Sequence, residues 1–289
     1  MSRDLDHIVH AVHDLDAVVD LYRRLGFTVG ARNRHAPSWG TQNHIVQFDG
    51  TFIELLAIAY PTHITPPATH LFSFGAFNRD FLSRGQGLSM LALEGRGAAD
   101  AEEFRAAGIG DFEPFEFERE GRRPDGTPIK VAFSLAFAAD PRASGTAFFT
   151  CQHRHPENFW NPAFQVHANT AAAVAGVILV AEIPSDHNIF LAAFTGEREL
   201  LATSAGISLK TPRGEIQVME PAAFRDHFST EPPDTSRGAR LAALRFTVRD
   251  LDTAKSLLEN AHLASSERMG RIVVGPSAAK GATLIFARN

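Results

Sequence analysis

Alternating apolar and polar positions, interrupted by runs at helical spacing, organise the chain. Residues 5–15 read L-D-H-I-V-H-A-V-H-D-L and residues 241–251 read L-A-A-L-R-F-T-V-R-D-L, and the two align without a gap. Each is an alternating strand that ends in an Asp suited to cap a helix. Behind Asp14, the apolar residues Leu15, Val18, Val19, Tyr22 and Leu25 recur at helical spacing, with Gly26 placed to end the helix. Behind Asp250, Leu251, Ala254, Leu257, Leu258 and Ala261 do the same. Three more strands are predicted after the first helix, at 27–31, 43–48 and 51–58. Asp49-Gly50 between the last two is a two-residue hairpin signal.

The same order reads twice more. Strand 88–94 leads to a helix over 98–107 closed by Gly108, then to strands at 112–118, 129–137 and 146–153, with a turn at Pro124-Asp125-Gly126. Strand 174–182 leads to a helix from Ser185 to 195 closed by Gly196, then to strands at 200–203, 206–211 and 215–220, with a turn at Pro212-Arg213-Gly214. The predicted class is α+β: four βαβββ modules in two pairs. The first half is expected over 1–153 (modules 1–60 and 87–153) and the second over 174–289 (modules 174–221 and 240–289). The linker 154–173 carries Pro156 and Pro162, and its 160–167 portion can add a strand.

Composition narrows the classes of function. The chain of 289 residues is 44% hydrophobic and 21% charged, enough for a substantial core. A net charge of −5 without basic runs speaks against nucleic-acid binding. The charged start MSRDLDHIVH lacks the apolar stretch of a secretory signal, and the longest apolar run, near 171–181, is too short for a membrane span, so a cytoplasmic protein without membrane association is expected. The single cysteine, Cys151, excludes an intrachain disulfide and any Cys-rich metal site, and in its Phe-rich strand it reads as an inert buried thiol. The 23 Phe against 2 Tyr and 2 Trp mark core packing, and 13 His supply candidates for chemistry.

The segments LDHIVHAVHDLDAVVDLYRRLGFTV, HAPSWGTQNHIVQF and GTFIELLAI resemble the vicinal oxygen chelate superfamily of glyoxalase, bleomycin-resistance and extradiol dioxygenase proteins, and more narrowly its glyoxalase-like domain proteins. The resemblance implies paired modules whose curved mixed sheets enclose a ligand cavity, often around a divalent metal. It implies nothing single about activity, because one fold hosts several chemistries and binders without catalysis.

Strand parity selects the residues that would line that cavity. In the fourth module Ala242, Leu244, Phe246 and Val248 form an apolar face, and Leu241, Ala243, Arg245 and Thr247 a mixed one. Carried to the first strand, this puts Ile8, His10 and Val12 against the helix and His7, Val9 and Ala11 toward the cavity. If Asp49-Gly50 is a two-residue loop, Ile45 lies opposite Glu54. His44, Val46, Phe48, Ile53 and Leu55 then face the core, and Asn43, Ile45, Gln47, Phe52, Glu54 and Leu56 the cavity. His7 and Glu54 thus share one face. The resemblance implies that they are metal ligands, and an imidazole with a carboxylate suits Zn²⁺, Ni²⁺, Fe²⁺ or Mn²⁺. Either residue is also at home as a hydrogen-bonded interior group.

The resemblance implies further ligands from the second module. Its last strand offers Gln152 on the mixed Phe148-Thr150-Gln152 face, which parity favours, and His153 at the strand end. Trp39 could wall the cavity, with Arg34 or Arg32 receiving an anionic group. Modules three and four carry no ligand pair and read as a structural or substrate-shaping copy. Three activities remain open. The first is a metal-dependent lyase or isomerase of glyoxalase type acting on a small carbonyl or enediolate substrate, with Glu54 as its proton-shuttling base. The others are a non-catalytic small-molecule binder and an extradiol-type dioxygenase. Four modules in one chain complete each pair, so the site is compatible with a monomer or a homodimer.

Overall fold

The computed structural model describes residues 2–122 and 126–288, so Pro124 and Asp125 of the expected turn lie outside the described residues. The first module is β1 (Leu5–Ala11), α1 (Leu15–Arg24), β2 (Asn33–Arg34), β3 (Thr41–Phe48) and β4 (Thr51–Ile58). Helix α2 (Phe74–Leu82) joins it to the second module: β5 (Gly87–Glu94), α3 (Ala98–Ala106), β6 (Phe115–Arg122), β7 (Pro128–Ala138) and β8 (Ala147–His153). A short α4 (Pro156–Phe159) follows. The third module is β9 (Ala171–Val180), α5 (Asn188–Thr195), β10 (Leu201–Thr203), β11 (Gly206–Lys210) and β12 (Glu215–Met219). After α6 (Pro221–Phe228) comes the fourth: β13 (Arg240–Val248), α7 (Leu251–Asn260), β14 (Ser266–Arg268), β15 (Arg271–Val274) and β16 (Thr283–Ala287).

The modules pair as the alternation predicts. One eight-stranded sheet runs β2-β3-β4-β1-β5-β8-β7-β6 and the other β10-β11-β12-β9-β13-β16-β15-β14. Within each module the first and last strands are parallel; between modules the two first strands are antiparallel. The hairpin has the expected register, with Phe48 opposite Thr51 and Ile45 opposite Glu54. Asp14 and Asp250 cap α1 and α7, accepting from the Ala17 and Asp252 amides at 3.0 Å.

The helix-bearing faces of both sheets share one apolar core, joining Ile8, Tyr22 and Phe48 of the first half to Leu244, Phe246 and Phe286 of the second. Burial on this scale is the dominant stabilising term, at about 25 cal/mol per Å² of apolar surface. Each opposite, concave face has its own smaller cluster. Phe74 and Phe81 of α2 cover the first, and Phe224 and Phe228 of α6 the second.

Two expectations are corrected. Residues 27–31 form no strand, and the short Asn33–Arg34 stands in its place as the module's second strand. The Phe27 amide instead closes the helix on the Tyr22 carbonyl, and Thr28 is tied to His167 and Val166. Nor do residues 160–167 add a strand: a 3-10 turn occupies Pro162–Phe164, and β9 already begins at Ala171. Gln47 pins this segment to β3, donating to the Phe159 carbonyl at 2.8 Å and accepting from the Asn161 amide at 3.0 Å.

Candidate functional site

The floor of the first concave face is built on a bulge in β1. Leu5 pairs with Leu93 and His7 with Ala92 on β5, so Asp6 is an extra residue. Such a bulge re-aims side chains, and here two consecutive residues meet on one side. His7 is 5% exposed and stacks on Phe52 with ring centroids 4.3 Å apart. Its Nδ1 donates to Asp6 Oδ2 at 2.9 Å. Asp6, 1% exposed, also accepts from His153 Nε2 at 2.9 Å. Burial pushes the Asp6 carboxyl up, but His153 and His7 outweigh it and hold the group well below the usual carboxylate range. A carboxylate held on Nδ1 orients the imidazole, whose ring lines the cavity.

The facing wall is Glu54 on β4, 4% exposed. Asn43 Nδ2 donates to its Oε1 at 2.5 Å, and His35 Nε2 lies 3.0 Å from the same oxygen. Burial works to raise the Glu54 carboxyl, but His35 first, then His7 and Asn43, leave it below its ordinary value. His35 is steadied at Nδ1 by the Thr41 hydroxyl at 2.7 Å and by edge contacts with Trp39 and Phe74. The Asn43 Oδ1 atom is buried and has no partner among the described residues.

These groups line a narrow cavity of about 70 Å³, walled otherwise by aromatic and aliphatic residues that include Phe117, Phe133 and Phe149. That is room for a compound of a few heavy atoms, since a water occupies about 30 Å³. Asn33, Ile45 and Phe159 also border a wider cavity of about 620 Å³, beneath the 157–164 segment.

His7, Trp39, Asn43, Phe52 and Glu54 all line the small cavity, where parity places His7, Asn43, Phe52 and Glu54. Gln47 lines the wider one, with its amide already engaged by the 159–161 backbone. Arg34 does not join them. Alternation turns it away from cavity-facing Asn33, and it sits exposed with its guanidinium 5.8 Å from the Tyr60 ring centre. Arg32 is likewise occupied, by Asp16 and His44. Gln152 is turned to the helix side, against Gly97 at the start of α3. The cavity face of β8 is instead Phe149 and Cys151, and His153 reaches Asp6 from the strand end. His10 and His44 lie outside the cavity, bonded to Tyr22 and Lys280 and to Gly30.

Asp6 and His35 are the residues that strand parity misses. Asp6 occupies a bulge, and His35 a loop without periodicity. The available signals were the adjacency of Asp6 to His7 and the proximity of His35 to Trp39-Gly40-Thr41 in sequence.

The donors do not assemble the ligand set that the resemblance implies. Among the described residues the group that gathers is Asp6, His7 and Cys151, with one ligand atom each within 4.8 Å of one another. His7 Nδ1 bonds to Asp6, and burial pushes the Cys151 thiol well up. Among the described residues no third donor gathers with His7 and Glu54, and Glu54 is held by Asn43 and His35. The neighbouring second-module positions are Phe133, Leu135 and Phe149.

A family model for the glyoxalase-like domain matches residues 5–194, which bears out the resemblance drawn from the first module. No curated protein is significantly similar in sequence. A hypothetical protein from Staphylococcus aureus aligns over 100% of both chains at 12% identity, with a TM-score of 0.66. A variant of 4-hydroxymandelate synthase from Streptomyces coelicolor aligns over 100% of this chain and 94% of its own at 12% identity, with a TM-score of 0.58. At such identities the likeness is one of fold. Among the described residues no helix is long and apolar enough to cross a membrane.

Proposed function

The chain belongs to the glyoxalase-like domain family, and from that premise we propose that its first half, 1–153, is an enzyme of isomerase or lyase type that moves a proton on a small hydroxycarbonyl compound. One observation carries the reading: His7, oriented by Asp6, faces Glu54, His35 and Asn43 across an apolar, aromatic-walled cavity. His7 Nε2 takes the proton from the carbon beside the carbonyl, and the C–H electron pair moves into the carbonyl to give an enediolate. Return of that proton to the neighbouring carbon, with the hydroxyl proton passing to the enolate oxygen as the carbonyl re-forms on the other carbon, completes an isomerisation. The unpartnered Asn43 Oδ1 receives the substrate hydroxyl. Glu54, ionised and paired with His35, sets the polarity of the facing wall rather than serving as the base that the sequence suggests. The aromatic walls exclude water, which strengthens each of these contacts.

The Asp6, His7 and Cys151 group favours a second reading, in which one Zn, Ni, Fe or Mn ion is held there and supplies Lewis-acid polarisation of the carbonyl.

The test is deuterium uptake from heavy water into a panel of small hydroxyaldehydes and hydroxyketones, followed by NMR, beside metal analysis of protein purified without chelator. Exchange should fall by about 10²–10⁴-fold in His7→Ala and in Asp6→Asn. Saturable binding of these compounds without exchange would leave the fold as a binding protein. Stoichiometric metal lost in both His7→Ala and Cys151→Ser would favour the second reading.

A further inference from the structure

The second sheet has a cavity of its own that the reading above does not use. It measures about 210 Å³ and lies on the concave face, beside His227 and Phe228 of α6. One rung of the sheet forms its floor. Arg245 on β13 pairs with Gly176 on β9, and Gly176 with Glu215 on β12. The guanidinium reaches across Gly176 to bond Glu215. Only glycine leaves that path open, since a Cβ at position 176 would sit 2.9 Å from the Arg245 Nη2. Arg245 Nε is buried and has no partner among the described residues, so one carboxylate leaves the guanidinium with donors to spare. A second guanidinium, that of Arg271 on β15, lines the same cavity and has no acidic partner among the described residues. Glu215 neutralises one arginine of the two. The remaining positive charge stands beside an apolar surface of Met219 and Phe228.

We propose that this cavity is a second binding site, for a small monocarboxylate with an apolar body. The carboxylate meets the fork of Arg271 and the spare donors of Arg245, a geometry that suits paired N–H donors. The apolar body lies on Met219 and Phe228. Glu215 repels a second negative charge, which selects a monocarboxylate over a phosphate dianion. The site lies on the opposite sheet from His7, so it stands or falls independently of the proposed reaction.

Benzoate is the probe, and benzamide its neutral isostere, titrated calorimetrically into the full-length protein at fixed ionic strength. Benzoate should bind saturably and benzamide about tenfold or more weakly. Arg271→Gln should cost benzoate about tenfold or more, the range for a lost charge-assisted hydrogen bond. Met219→Trp, which fills the cavity, should abolish binding, and His7→Ala should leave it unchanged. Equal affinity for both probes, no saturable benzoate binding, or benzoate binding lost in His7→Ala but kept in folded Arg271→Gln would each overturn the proposal.

Discussion

Acid stability is the most quantitative consequence of how the two halves are joined. His10 lies on the helix side of β1 and is 0% exposed. Its Nε2 donates to the Lys280 carbonyl at 3.1 Å, across to the second half, and its Nδ1 accepts from the Tyr22 hydroxyl at 3.1 Å. Burial lowers its pKa from 6.5 to about 4, and the Lys280 carbonyl only partly opposes this. The unfolded chain therefore takes up a proton near 6.5 and the folded chain only near 4. Between these values the unfolded state holds more protons, so the stability is complete above pH 6.5, falls as the pH drops and levels off below 4. At about 1.4 kcal/mol per pH unit, the whole interval is worth about 3 kcal/mol. His10→Gln retains an amide donor for Lys280 and removes the titration. Urea unfolding at neutral pH and near pH 4.5 should show the parent losing about 2–3 kcal/mol more than the variant on acidification. His167, also lowered to about 4 by burial, contributes equally to both proteins and cancels. An identical pH dependence in parent and variant would refute the reasoning.

Other perturbations test the site and the junction. His35→Ala leaves the Glu54 carboxylate with Asn43 as its remaining hydrogen-bond donor among the described residues. Because Glu54 is held below its ordinary value, its share of stability is present at neutral pH and lost as acid titrates the folded group; the variant should lose about 1–3 kcal/mol at neutral pH by urea unfolding. Gly281→Ala places a Cβ against the Gln86 carbonyl at a φ of 89°, and should cost at least about 1 kcal/mol, read as a lower Tm. Arg34→Ala should change stability by no more than about 0.5 kcal/mol and leave deuterium exchange intact, since its side chain points away from the cavity.

The parts of the molecule legible in sequence are those where one period runs unbroken. In the 41–58 hairpin, a two-residue loop pins every cross-strand pair, so Glu54 and Asn43 fall on the cavity face without further information. In β8 the same reasoning picks the wrong face because it takes polarity as the mark of a cavity. Here the contrast is inverted. The layer between β8 and α3 is polar, with Thr150 near Asp100, which Arg3 binds at 2.7 Å, while the cavity is walled by Phe149 and Cys151. The bulge at Asp6 is invisible to a period of two. Yet β13 carries the same bulge at Ala242, at the position aligned with Asp6 when 5–15 and 241–251 are set side by side. Ala242 and Ala243 both face the concave cluster there, as Asp6 and His7 do in β1. The bulge is therefore common to the two strands, and the chemistry belongs to the residue placed on it. A polar pair on that backbone becomes an oriented imidazole, and an alanine pair becomes packing. The residues that parity misses, Asp6 in its bulge and His35 in its loop, lie where the pleat is broken, because two side chains that must meet cannot both follow an alternating strand.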